Sequence, residues 1–149
     1  MFRVGVTLLY ILILVPLHLG RGFGGPVPQA VLIALASLVC GLALPMIGNI
    51  QRVAAMHLIF LGGFSLITFT VATRVVLGHS GHGRLFELPL ISLRLVTLLL
   101  VVGAVLRVWG DASPHRSIML NTASYLWMGA AVVWSLAILP KVRKAGDDE

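Results

Sequence analysis

VAAMHLIFLGGFSLITFTVATRVVL, residues 53–77, is an apolar run that ends on a fixed charge, Arg74. Spanning a bilayer takes about 20 predominantly apolar residues, and this run is long enough. Directly after it come Gly78-His79-Ser80-Gly81-His82-Gly83-Arg84, with two histidines set in a glycine-rich stretch. An arginine at the centre of a span costs about 2.5–3.5 kcal/mol on insertion scales. Arg74 therefore needs a partner or an outlet to the interface, and a charge in such a place marks a candidate site.

The rest of the chain agrees with a membrane reading. Of 149 residues, 58% are hydrophobic and 11% charged, with a mean hydropathy of +1.02. Soluble domains carry roughly 25% charged residues, so a water-exposed globule could not be covered with polar surface here. The net charge of +6 is no argument for nucleic acid, because the basic residues fall mostly between apolar runs, where they act as topology signals and headgroup contacts. The single Cys40 excludes an internal disulfide and a cysteine-based zinc or iron–sulfur framework from this chain alone. There is no Gly-x-Ser-x-Gly, no phosphate-binding loop, no His-Glu-x-x-His and no acidic pair for glycosidic chemistry.

Outward from residues 53–77, further apolar runs occupy 4–19, 27–47, 88–107 and 117–139. The expected fold is all-α, a single polytopic transmembrane helical bundle of about five spans over residues 1–149, with 140–149 as a charged tail. The run at 4–19 is short and holds Pro16 and His18; a signal peptide is the alternative, but no small-x-small cleavage site follows it. Pro28 suits a first helical turn, Pro89 after Glu87 opens the fourth span, and Ser113-Pro114 reads as an N-cap with a first-turn proline. Pro45 is a candidate kink. Small residues recur four apart at Ala30/Ala34 and Ser37/Gly41, a spacing that lets helices approach but is common in any apolar helix.

Alternating spans sort the polar residues onto two faces. Side A holds Arg3, Arg52, Arg107, His115 and Arg116; side B holds Arg21, Arg84, Lys141, Arg143 and Lys144. The compact Lys141-Val142-Arg143-Lys144 cluster points to side B as cytoplasmic. His57 and His79 lie at opposite ends of the third span, about 33 Å apart at 1.5 Å per residue, so they cannot share one metal ion. His79 groups with His82, His18 and Arg74 on side B. His57 groups with His115, Asn121, Ser124 and Tyr125 on side A, where a hydrogen bond to Asn121 or Tyr125 is open to it.

Each face carries a functional reading and a plain one. On side B, Arg74 and Arg94 leave a surplus of positive charge over Glu87, which haem propionates or lipid phosphates would neutralise. His79 or His18 could supply an axial imidazole to haem iron, and imidazole also suits copper. The plain reading has both arginines snorkelling to headgroups and both loop histidines as turn residues. On side A, Met46, Met56, His57 and Met119 admit a soft-metal reading, with ordinary packing as the alternative. Trp109, Trp127 and Trp134 read as partly interfacial anchors without chemistry.

From Met56-His57 through His79-Ser80-Gly81 the chain resembles the NnrS family of haem- and copper-containing membrane proteins. The likeness rests on a histidine early in a long helix with Gly62-Gly63, then Thr73-Arg74-x-x-Leu77-Gly78-His79-Ser80-Gly81. Leu106-Arg107 and Tyr125-Leu126-Trp127 follow. It covers roughly residues 53–142, with a fainter echo at 41–49, and is similar to the C-terminal part of larger polytopic members. The stretch Leu44-Pro45-Met46-Ile47-Gly48-Asn49 lacks the arginine that the resemblance leads one to expect before the proline. The resemblance implies haem, copper or both as cofactors, and roles for His57, Arg74 and His79, with Gly78 and Gly81 as loop formers. It also implies a link to nitric oxide metabolism and nitrosative-stress resistance in the bacterial inner membrane.

The combined expectation assigns cofactor binding to His79, Arg74, Arg94, His82 and His18, and metal ligation to His79 and His57. It includes no recognisable catalytic set, no nucleic acid, and either a homo-oligomer or a larger membrane partner besides the lipid bilayer. The rival readings are a cofactor-free accessory subunit and, lacking paired intramembrane acids, a metal or small-solute transport module. Topology is the first test: a periplasm-only reporter should be silent when fused at Glu149 and active after Gln51. Activity of that reporter at Glu149 would place the C-terminus outside.

Overall fold

A computed structural model describes residues 5, 25–47, 52–80 and 91–143. Within these, four helices follow one another: α1 (Pro26–Ile47), α2 (Arg52–His79), α3 (Ile91–Gly110) and α4 (Arg116–Arg143). All four are long and apolar enough to cross a membrane. Apart from Gly5, the expected span at 4–19 lies outside the described residues, as do Gly81, His82 and Glu87.

The helix ends follow local chemistry. Pro26 and Pro28 occupy the first turn of α1, where a missing N–H costs nothing, and Gln29 N–H reaches back to Gly25 O at 3.3 Å. Pro45 sits inside α1. The helical part of α2 runs through Gly78 to His79, so Gly78 is a helical residue and not a loop former. A Cβ there would meet open space. Ser80 closes the helix with its N–H on Val76 O at 3.0 Å. At α4 the cap position falls on His115, whose carbonyl accepts Met119 N–H at 3.2 Å. Ser113, the expected cap, instead accepts His115 N–H at 3.2 Å and lies two residues upstream of the observed cap. The helix then continues through Pro140 to Arg143.

The middle of α2 is wound differently. Leu58–Ser65 is π-helical, between α-helical Arg52–His57 and Leu66–His79. The wider i→i+5 winding is rare and marks a place where local geometry has yielded to packing or function. Here the packing is visible. A Cβ on Gly62 would stand 2.9 Å from Ser37 Cβ, and one on Gly63 would collide with the Leu38 side chain. On the α1 side, a Cβ on Gly41 would lie 2.5 Å from Ile59 Cγ1 and 3.0 Å from Ala55 O. The small residues spaced four apart in α1 are therefore the surface on which α2 seats. Ala30 and Ala34 are likewise fully buried.

Helices α3 and α4 form an antiparallel hairpin by the same device, with Gly103 facing Ala123 O and Gly110 facing Met119 and Leu120. The turn between them is held by Ala112 N–H to Trp109 O at 3.1 Å, Ser113 N–H to Gly110 O at 3.2 Å and an Arg116–Asp111 ion pair at 3.2 Å. At mid-bundle, Ala30, Ala34, Leu66, Val96, Leu100 and Ala130 form the core. Trp134 is a packing residue, not an interfacial anchor. Its Nε1–H donates to Thr73 Oγ1 at 2.8 Å and its ring tilts against Phe69 with centroids 5.6 Å apart. Outside, Leu136, Ile91, Leu98 and Phe60 face away from the protein, as lipid-facing residues must.

The α1–α2 contact has a direct test. Gly62→Val should destabilise the bundle by about 1–3 kcal/mol, the usual cost of overpacking. Gly129→Ala, where a Cβ meets open space, should be tolerated. Thermal unfolding in mild detergent reads the difference; equal midpoints for the two variants would mean that α1 and α2 do not need this approach.

Candidate functional site

The bundle has two ends, and the helix directions place the polar residues there as alternation requires. At one end, side B, Val27 of α1, Leu77 of α2 and Leu93 of α3 pack together. Arg74, His79 and Arg94 belong to this end, and all three are exposed on the chain. Exposed Arg74 follows Thr73, which is buried and accepts the Trp134 N–H. Arg94 lines an open groove of about 370 Å³ between α1 and α3, together with Pro26, Gln29, Ile33 and Thr97. Arg74 is not part of that groove lining. Neither arginine has an ion pair or hydrogen bond among the described residues.

His79 is held by its own helix. Its Nδ1–H donates to Val75 O at 2.9 Å, one turn back. A carbonyl only accepts, so in the neutral ring the proton sits on Nδ1 and the Nε2 lone pair is left for a ligand. Metal-binding histidines commonly use this second hydrogen bond to fix tautomer and orientation. His57 is arranged in the same way, with Nδ1–H on Val53 O at 2.8 Å. That bond replaces the one open to it with Asn121 or Tyr125, both of which are exposed on α4.

The surroundings of His57 form the second feature. A pocket of about 200 Å³ on side A is lined by His57 and Leu61 of α2, Arg107 of α3, and Ala123, Ser124, Trp127 and Met128 of α4. Trp127 Nε1–H reaches Ser65 Oγ at 3.4 Å across its wall. Arg107 donates from Nη1 to Leu120 O at a long 3.4 Å, and its buried Nε has no acceptor among the described residues. The methionine that lines this pocket with His57 is Met128. Met56 instead lines a separate groove with Pro45 and Arg52, and Met119 packs on Gly110. Of the expected grouping of Met46, Met56, His57 and Met119, His57 alone lines this pocket. No three His, Cys, Asp or Glu side chains converge among the described residues.

Size separates the two ends. Ligand pockets usually enclose about 300–1,000 Å³; the groove at Arg94 falls within that range and the pocket at His57 below it. The side A pocket suits a ligand of a few atoms and is too small for a porphyrin. The side B groove holds Arg94 but neither His79 nor Arg74. Arg107 was legible in the sequence only as a topology charge. The available signal was that it lies inside the apolar helix, and Asp111, one turn on, is paired with Arg116 instead.

A family model described as NnrS protein matches residues 2–145, well beyond the segment that carries the resemblance in the sequence. No curated protein and no solved structure matches the chain. With nearly its whole length accounted for by that model and its described residues forming an apolar helical bundle, the chain belongs to the NnrS family.

Proposed function

We propose that this protein binds haem, copper or both in the bacterial inner membrane and serves tolerance of nitric oxide and nitrosative stress. Membership of the NnrS family carries this reading. Side B is the cofactor face. His79 presents Nε2 with its ring already oriented by Val75 O, while Arg74 and Arg94 offer charge-assisted hydrogen bonds to propionates. His82 and His18 are further candidate ligands from segments outside the described residues. His57, with the same ring geometry, is the candidate ligand for a separate metal on side A. Haem held on side B would supply a redox-active iron, with His79 as its ligand and Arg74 and Arg94 as counter-charges.

The exposure of Arg74, His79 and Arg94 together favours a second reading, in which another subunit covers this face and the chain is a cofactor-free accessory. Two uncovered guanidinium groups near the bilayer are costly unless they snorkel or find anionic partners. A homo-oligomer or a larger membrane partner would provide them.

An optical spectrum with iron and copper counts per chain, taken after purification in mild detergent, separates the two readings. On the cofactor reading, His79→Ala abolishes or shifts the Soret band. Arg74→Leu weakens haem retention without changing ligation, and His57→Ala leaves the haem spectrum unchanged. Loss of the haem signal in His57→Ala with retention in His79→Ala would move the haem to side A. A stable, cofactor-free chain cross-linked to a defined larger species would establish the accessory reading.

A further inference from the structure

The side A pocket that His57 lines also holds Arg107, to which the haem and copper reading gives no role. Its fixed cation, Arg107, sits in the last stretch of α3 and shares the pocket with His57, Leu61, Ala123, Trp127 and Met128. Burying a guanidinium among such groups is costly unless it is paired and hydrogen-bonded. Its position near the α3 C-terminus offsets part of that cost, and the long contact to Leu120 O satisfies one donor. Nε–H remains buried without an acceptor among the described residues. Among the described residues the ion pair at this end of the bundle is Arg116–Asp111, so Asp111 is already engaged. A cavity of about 200 Å³ lies beside the surplus charge.

We propose that this pocket binds a small monovalent oxyanion, with Arg107 as its counter-charge and donor. The walls set the selectivity. Ser124 already donates its hydroxyl proton to Leu120 O at 3.0 Å and Trp127 its N–H to Ser65 Oγ. One guanidinium must therefore supply most of the binding. A weakly hydrated monoanion such as nitrate gives up its water at low cost, whereas sulfate brings a second charge that apolar walls cannot compensate. The same monoanionic oxygen chemistry belongs to a free inorganic anion and to the phosphodiester of an anionic lipid.

Titration calorimetry with sodium nitrate decides the matter on the full chain in phosphatidylcholine nanodiscs, at ionic strength held constant with gluconate. Saturable one-site binding is expected, at least tenfold weaker in Arg107→Gln, and absent with sulfate. Leu61→Trp, which fills the cavity and keeps Arg107, should weaken nitrate binding to the same degree. Replacing part of the lipid with phosphatidylglycerol identifies the source. Competition with nitrate assigns the site to a lipid phosphodiester, and unchanged nitrate binding assigns it to a free anion; either supports the oxyanion site. The wild-type preference for nitrate over sulfate is read without any variant. No saturable nitrate binding, or equal affinity in wild type and both variants, overturns the proposal and leaves Arg107 as a strut between α3 and α4. The readout is taken without copper and is independent of haem, so loss of the haem reading would leave it standing.

Discussion

Inside a bilayer there is no water to accept a stray hydrogen bond, and this constraint shapes every part of the molecule. The backbone answers by being helical throughout the four described spans. The hydroxyls answer by turning back on their own helices. Thr68, Thr70, Thr73, Thr97, Thr122, Ser37 and Ser124 each donate to the carbonyl four residues earlier, at 2.7–3.0 Å. A side chain that would compete with helix formation in water is thereby neutralised in lipid. Thr73 does more, because its oxygen also accepts the Trp134 N–H and ties α2 to α4.

The same absence of water removes the usual hydrophobic drive between helices, so their association rests on close packing. Gly41, Gly62 and Gly63 bring α1 and α2 nearer than any side chain would allow. The π-helical turn at Leu58–Ser65 falls on that contact. It also carries Leu61 and Ser65, which reach the side A pocket directly or through Trp127. Packing of α1 on one side of α2 and the shape of the pocket on the other are thus coupled through one irregular stretch of helix.

Charge is distributed unequally between the two ends. Side A keeps Arg107 half-buried within the bundle, touching α4 and walled by aromatic and thioether groups. Side B turns Arg74 and Arg94 outward on separate helices, where lipid, a cofactor or another chain can meet them.

Fold class was legible in composition and in the five apolar runs, because lipid imposes a minimum length and excludes charge regardless of how helices pack. The opposition of His57 and His79 was equally legible, since both lie on one helix and its rise separates them. What the order of residues could not show was which faces meet. Ala30/Ala34 and Ser37/Gly41 are as common in unpaired helices as in paired ones, and only their seating against Gly62 and Gly63 gives them meaning. Likewise, Arg107 lies far in sequence from His57, Trp127 and Met128. The crossing of α2, α3 and α4 put them around one cavity, because close packing of small residues decides which side chains share a space.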